Sequence, residues 1–260
     1  MSMTGVFAVT GGGSGIGRGV CHRLATEGAR VAVLDMNGGA ADEVAKEVGG
    51  EAHVLDVSDP ARVGEVFAEL GSLQGLVNCA GISDVTPIVA MTAQAWRRVT
   101  DVQLDGTFFC LQAAARIMIA QGTRGTIVNI ASINATFGHR GLSAYCAAKA
   151  GIAMLTRVAA LEFAQAGIRV NAVAPGIVET GMTSQVVADP AFVQLWSAAI
   201  PLGRIGQPDD IADVVAFLCS PQSRWLTGQV LAADGGGSLR TEPKMFPDEA
   251  WSLEALQAQL

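Results

Sequence analysis

Tyrosine occurs once in this chain, at Tyr145, and histidine three times, at His22, His53 and His139. The histidines are dispersed. The five cysteines (Cys21, Cys79, Cys110, Cys146, Cys219) are scattered, odd in number and without metal-type spacing. A zinc site has no ligand set here, so no metal is expected. The cysteines read instead as buried thiols in a reducing compartment, which implies a cytoplasmic location. Basic runs are also missing. A formal net charge of −7 with no Lys/Arg cluster argues against a nucleic acid or an anionic membrane as partner. The N-terminal stretch MSMTGVFAVTGGGSG lacks the basic segment and long apolar core of a secretory signal. No uninterrupted apolar run approaches the roughly 18–20 residues of a bilayer span, so no membrane partner is expected.

What the chain does contain is enough apolar material for a substantial core. Half of its 260 residues are hydrophobic and 16% are charged, which fits one large domain or two small ones and argues against disorder. Short β-branched runs alternate with longer alanine-rich segments. Strands are expected at Val6–Thr10, Arg30–Asp35, Ala52–Val57, Gly75–Cys79, Gly125–Ala131, Arg169–Ala174 and Gln229–Ala232. Helices are expected at Gly15–Gly28, Ala40–Val48, Pro60–Leu70, Ala93–Gln121 (long enough to be broken), Ala144–Ala166 and Pro208–Cys219. Strand-then-helix order implies an α/β fold, a doubly wound, parallel seven-stranded sheet with helices on both faces. One domain is expected over residues 1–240. It includes a lid near 177–207, where strand periodicity lapses for longer than an ordinary connection. Residues 241–260 form a tail.

The stretch AVTGGGSGIG follows the first strand and opens the first helix. Gly11, Gly15 and Gly17 permit tight turns and close backbone approach, and the helix N-terminus offers free N–H groups to a pyrophosphate. Glycines also serve plain structural turns, so context carries this reading. Asp35 ends the second strand, about twenty residues on, where an acid can accept bonds from adenosine ribose hydroxyls and repel a 2′-phosphate. It could equally cap a loop. Ser14 stands where a basic residue would favour the 2′-phosphate, while Arg18 just past the loop points the other way. NAD is the expected cofactor.

In SAYCAAKAG, Tyr145 and Lys149 are four residues apart and share a helix face. An ammonium beside a phenol favours phenolate, so a Tyr145 pKa below the ordinary value of about 10 is expected. The alternative is a tyrosine packed by its ring beside a lysine reaching for water. Ser132 ends the strand IVNIAS at the sheet edge where open α/β folds bind ligands.

In order along Val6–Gly236, these features resemble the short-chain dehydrogenase/reductase family. Thr10–Gly17 is similar to its cofactor loop, Leu55–Val57 (LDV) to its adenine contact, and Asn78–Gly81 (NCAG) to its N-N-A-G motif. Ser132, Tyr145 and Lys149 match its catalytic trio. Pro175–Thr180 (PGIVET) resembles the segment that holds the nicotinamide amide. PLGRIGQPDDIADVVAFLCS and TGQVLAADGG are similar to its C-terminal signature. The resemblance implies hydride transfer between NAD(H) and a secondary alcohol or ketone. Tyr145 would be the acid–base, Lys149 its partner and the ligand of the nicotinamide ribose, and Ser132 the group orienting the substrate oxygen. Cofactor contacts are implied for Gly11, Ser14, Gly15, Ile16 and Gly17; for Asp35 and Met36; for Asp56 and Val57; for Asn78, Ala80 and Gly81; for Tyr145 and Lys149; and for Pro175, Gly176, Val178 and Thr180. One position departs from the family. Gln103 stands where a catalytic asparagine is usual, at a local helix break that helps hold a water leading to the lysine. Glutamine keeps the amide and adds a methylene.

The substrate pocket is expected between INATFGHRGL after Ser132, ISDVTPIV after the Asn78 motif, and the lid from Gly181. The lid carries Met182, Val186, Val187, Phe192, Leu195 and Trp196, which suit an apolar or mixed alcohol or a subunit interface. Asn134, His139 and Arg140 add polar contacts. The resemblance and the alanine-rich helix faces also imply a homotetramer. In the tail, Leu253, Leu256 and Leu260 recur at helical spacing near Trp251, which fits docking on a neighbour or cleft as well as disorder. Two other functions compete: a 3-oxoacyl thioester reductase, and a dinucleotide-binding regulator without catalysis.

Overall fold

The computed structural model describes residues 3–239 and position 257. The remainder of the 241–260 tail, with the leucines and Trp251 just discussed, lies outside the described residues. The first half of the chain runs β1 (Val6–Thr10), α1 (Gly15–Thr26), β2 (Arg30–Asp35), α2 (Gly38–Val48), β3 (Glu51–Val54), α3 (Pro60–Glu69), β4 (Gly75–Asn78), α4 (Ala93–Thr100) and α5 (Gly106–Gln121). The second half runs β5 (Thr126–Ile130), α6 (Ser143–Phe163), β6 (Arg169–Pro175), α7 (Ser184–Val187), α8 (Pro190–Ala199), α9 (Pro208–Cys219) and β7 (Val230–Ala233). The strands form one parallel seven-stranded sheet in the order β3-β2-β1-β4-β5-β6-β7. The order reverses at β1, which pairs with both β2 and β4, and the crevice there opens at the C-terminal strand ends.

Strand alternation sorts side chains to two faces. Val9 and Val33 join a core with Val20, Leu24, Ile211 and Val215 of α1 and α9. Their neighbours Ala8, Ala32 and Leu34 join the opposite core with Phe67, Cys110, Met118 and Ala159. Local chemistry sets the helix ends. Asn37 caps α2 by accepting from the Ala40 amide, and Asp59 caps α3 by accepting from Ala61 and Arg62 with Pro60 in the first turn. Gly49 and Gly122 close α2 and α5 in the left-handed region, at φ 65°.

Three expectations are refined. The third strand stops at Val54 rather than Val57; Leu55 and Val57 are buried beyond the ladder. The helix expected over 93–121 is interrupted at Asp101–Asp105 by a π-helical turn, where the Gly106 amide donates to the Asp101 carbonyl. The third concerns apolar length. The span Ser143–Ala166 is long and apolar enough to cross a membrane by length and composition. It lies on the sheet with Ala144, Ala148, Ile152, Ala159 and Ala160 buried, the position of a core helix.

A chain of buried amides crosses the middle of the molecule. Asn78 Nδ2 donates to Asn129 Oδ1 at 2.9 Å, Asn129 Nδ2 to Thr156 Oγ1 at 2.9 Å, and Thr156 Oγ1 to the Ile152 carbonyl at 2.8 Å. It ties β4 through β5 to α6. Asn129→Ala would leave the Asn78 amide only its long bond to the Thr107 carbonyl, at 3.5 Å, and remove the donor to Thr156. A loss of about 3 kcal/mol is expected in denaturant unfolding, larger than for Thr100→Ala on the exposed side of α4.

Candidate active site

The glycine loop is shaped by steric necessity. Gly11 and Gly15 have φ of 65° and 51°. A Cβ on Gly17 would lie 2.0 Å from the Gly11 carbonyl oxygen, and one on Gly11 would lie 2.8 Å from the Ala80 Cα. The loop is also bonded to its surroundings. The Gly13 amide donates to Asp35 Oδ2 at 3.0 Å and the Asn37 amide to Asp35 Oδ1 at 2.9 Å. Thr10 Oγ1 accepts from the Cys79 and Ala80 amides at 3.0 and 3.2 Å. The loop, the end of β2 and the segment after β4 are thereby one unit. A carboxylate has about four acceptor sites, so Asp35 keeps acceptor capacity for a ligand's hydroxyls. The glycine cradle, the helix N-terminus and this acid fit the diphosphate and ribose of a nicotinamide dinucleotide.

The remaining expected contacts gather around this crevice. Ser14 is exposed ahead of α1, Ile16 packs on the core, and Met36 is exposed beside Asp35. Asp56 is exposed, with Oδ1 accepting from the amide and hydroxyl of Ser58, and Val57 is buried against Gly106. Asn78, Ala80 and Gly81 follow β4. Pro175 ends β6, and the Gly176 amide donates to the Ala233 carbonyl at 3.1 Å. Val178 bridges to Gly206. A Cβ on Gly15 would lie 3.3 Å from Thr180, so the far segment faces the loop across the crevice.

Ser132 is buried just beyond β5 and accepts from the Asn134 amide at 3.1 Å. Tyr145 stands in the first turn of α6, and Lys149 one turn on is 4% exposed. The Lys149 ammonium donates to the Ile130 carbonyl at 2.7 Å and lies 5.5 Å from the Tyr145 ring centroid. The expected lowering of the Tyr145 pKa is not found in the unliganded protein. Burial pushes the phenol above 10 by desolvating its anion, and the bond from Ser132 opposes this only in part. Burial also brings Lys149 down to about 8, with the nearby Cys79 thiol opposing. Both partners are thus biased toward their neutral forms.

Gln103 lies inside the π-helical turn and is buried. Its Nε2 donates to the Ile82 carbonyl at 2.7 Å, and its Oε1 has no hydrogen-bond partner among the described residues. A Cβ on Gly81 would come within 2.8 Å of this amide, so the longer side chain fits because residue 81 is glycine.

The three segments expected to line the pocket converge. The Thr86 amide donates to the Gly141 carbonyl at 2.8 Å, joining the segment after β4 to the one after Ser132. His139 stacks on Trp196 of α8 at 6.4 Å and 19°, and Phe192 packs on Trp196 at 5.6 Å. Val187 is half-buried, whereas Met182 and Leu195 are largely exposed. Sequence reasoning missed the Thr10 splint, the Ile130 carbonyl and Cys79, a half-buried thiol pushed up to about 12 by burial. Cys79 had a signal, since it occupies the second asparagine position of the N-N-A-G pattern. Among the described residues no group of His, Cys, Asp and Glu is arranged to hold a metal.

Comparison with known proteins places this geometry in a family. A family model described as enoyl-(acyl carrier protein) reductase matches residues 11–238. The chain is 39% identical over 237 residues to galactitol 2-dehydrogenase (L-tagatose-forming) from Cereibacter sphaeroides, covering 88% of this chain and 93% of that one. A short-chain type dehydrogenase/reductase from Mycobacterium ulcerans superimposes with a TM-score of 0.88 at 31% identity, covering 99% of both chains. A structure described as a 2-deoxy-D-gluconate 3-dehydrogenase from Agrobacterium tumefaciens, with bound NADP, gives 0.86 at 36% identity, covering 92% of this chain and 98% of that one. The chain belongs to the short-chain dehydrogenase/reductase family, whose members are oxidoreductases that bind a nicotinamide dinucleotide.

Because Tyr145 is the only tyrosine, the ultraviolet change on phenol ionisation reports one residue. In the unliganded protein the titration should lie above pH 10, the direction set by desolvation. Saturation with NAD⁺ should move it down, because added positive charge favours phenolate, and NADH should move it less. Equal values in all three states would remove the electrostatic coupling between Tyr145 and the cofactor.

Proposed function

We propose that this protein is an NAD-dependent dehydrogenase that interconverts an uncharged secondary alcohol and its ketone. The observation that carries the reading is the Asp35 carboxylate, fixed by the Gly13 and Asn37 amides beside the glycine loop. The crevice edge holding it also carries Ser132, Tyr145 and Lys149. A 2′-phosphate next to Asp35 would meet like charge, while ribose hydroxyls find an acceptor. When bound, the nicotinamide supplies the acceptor or donor of hydride.

The chain's own residues do the rest. Gly11, Ser14, Gly15, Ile16 and Gly17 cradle the diphosphate, and Asp35 with Met36 takes the adenosine ribose. Asp56 and Val57 border the adenine. Asn78, Ala80 and Gly81 hold the middle of the cofactor, and Pro175, Gly176, Val178 and Thr180 the carboxamide side. Ser132 donates to the substrate oxygen and orients it. Tyr145 takes the hydroxyl proton in oxidation and returns it in reduction. Lys149 binds the nicotinamide ribose and places a cation behind the phenol. Tyr145, held neutral by desolvation, would ionise more readily beside the positive charge of an oxidised cofactor. Gln103 braces the Gly81–Ile82 segment.

The aromatic lid of Phe192 and Trp196, stacked with His139, supports a neutral alcohol or polyol. A cytoplasmic homotetramer remains part of this reading, supported by the family and the small-residue faces of α5 and α6. The description of the matching family model favours a second reading, a reductase of acyl thioesters. Wild-type NADH formation across secondary alcohols, diols and polyols, set against NAD(P)H consumption with 3-oxoacyl thioesters, separates the two.

Two variants test the residues. Asp35→Ser with Met36→Arg should weaken NAD by roughly a hundredfold, as expected from losing about 3 kcal/mol of hydrogen bonds to a charged acceptor, and should improve NADP. A wild type that turns over with NADP as well as with NAD would refute the NAD assignment. Gln103→Asn draws the amide back from the Ile82 carbonyl. Turnover should stay within about tenfold, roughly 1.4 kcal/mol of barrier. A hundredfold gain would identify the natural chain as impaired and favour a regulatory role.

A further inference from the structure

Arg18 is the basic side chain nearest in sequence to the glycine loop, one turn into α1. A guanidinium there is suited to a phosphate monoester, because its planar fork pairs bidentately with two oxygens. The structure directs it elsewhere. Arg18 Nη2 lies 2.7 Å from Glu47 Oε1, and Nη1 lies 3.4 Å from Glu43 Oε1. Glu43 and Glu47 are one turn apart on α2, on the face toward α1. The second Glu47 oxygen lies 3.0 Å from His22 Nε2, one turn beyond Arg18 on α1. Two side chains of α1 therefore interlock with two of α2.

The same connection carries Asp35. Its carboxylate takes the Asn37 amide, and the Asn37 side chain caps α2 by accepting from Ala40 at 3.2 Å. The β2–α2 unit that presents the acid at the ribose position thus also presents the two acids that hold the arginine. An exposed ion pair is weak by itself. Here the relevant comparison is between two destinations for one cation. Arg18 reaches a 2′-phosphate at the Asp35 end of α2 only by leaving both carboxylates, which lie further along the helix.

We propose that Glu43 and Glu47 are positioning residues for cofactor choice, holding Arg18 away from the adenosine ribose so that a 2′-phosphate finds no cation there. The inference rests on the NAD reading above and adds a second layer to it. Asp35 rejects the phosphate directly, and the two glutamates withhold its natural partner.

The test is a fluorescence titration of NADH and NADPH binding. Wild type is measured first, then Asp35→Ser, in which the direct repulsion is gone. Adding Glu43→Gln and Glu47→Gln to Asp35→Ser should raise the NADPH-to-NADH affinity ratio about fivefold, and the gain should shrink with added salt. Adding Arg18→Met to that triple variant should erase the gain. An unchanged ratio in the triple variant overturns the inference while leaving the NAD reading intact. A gain that survives Arg18→Met overturns it too, since charge removal alone would then account for the effect. A wild type that binds NADPH as tightly as NADH refutes the NAD reading and this inference together.

Discussion

The site depends on register. In the parallel ladders Leu34, Thr10, Asn78, Asn129 and Ala172 lie in one row across five strands, each paired with the next. Residues one step further along the chain emerge together at the crevice: Asp35, Gly11, Cys79 and Ile130. A slip of one residue in any ladder would turn that strand's side chains to the other face. The slip is opposed from inside the sheet, because Asn78 and Asn129 are bonded side chain to side chain within this row. Thr10 extends the restraint beyond the strand ends by taking the amides of Cys79 and Ala80. The buried polar groups thus fix the relative height of the strands, and the crevice inherits its shape from them.

Burial sets the chemistry of the inner end. Tyr145 and Lys149 are both shifted toward neutrality by the same cause, loss of water. Proximity of a lysine to a tyrosine does not by itself make a phenolate, since the lysine donates to the Ile130 carbonyl and its own charge is disfavoured. Ionisation of Tyr145 is therefore costly in the unliganded protein and sensitive to charge brought to the site. An acid–base group works best with a pKa near the working pH, so the raised phenol depends on added positive charge to act as a base.

Most of the architecture was legible because period and punctuation agree. The runs ending in Thr10 and Asp35, each followed by a turn and a helix, and the strand–helix alternation after them leave little besides a doubly wound parallel sheet. The strand Ala52–Val57 was overextended because Leu55 and Val57 are apolar. Pattern registers their burial but not that the last bond to β2 is made by the Leu55 amide, which donates to the Asp35 carbonyl at 2.9 Å. The break in the helix 93–121 was anticipated in position, since Gln103 falls in it. Its form was not, because a π-helical turn depends on how the i→i+5 bond at Gly106 packs against Val57. The Tyr145 shift was misjudged for a related reason. Sequence places a cation one turn away but carries no measure of how much water the fold leaves around either group.

Gln103 shows how a departure from a family pattern is absorbed. The extra methylene carries the amide across to the Ile82 carbonyl at 2.7 Å. The space for it exists because Gly81 has no side chain, as any Cβ there would collide with the amide. The glutamine and the glycine are therefore one feature, a brace between the π-helical turn and the segment after β4. Its cost is visible in the same place, since Oε1 is buried without a partner among the described residues and such an acceptor is worth about 1–3 kcal/mol when left unmade. The Gln103 carbonyl is meanwhile committed to the Thr107 hydroxyl at 2.6 Å. Main chain and side chain have exchanged loads here. The carbonyl is held within the helix, and the amide ties the helix break to the crevice wall.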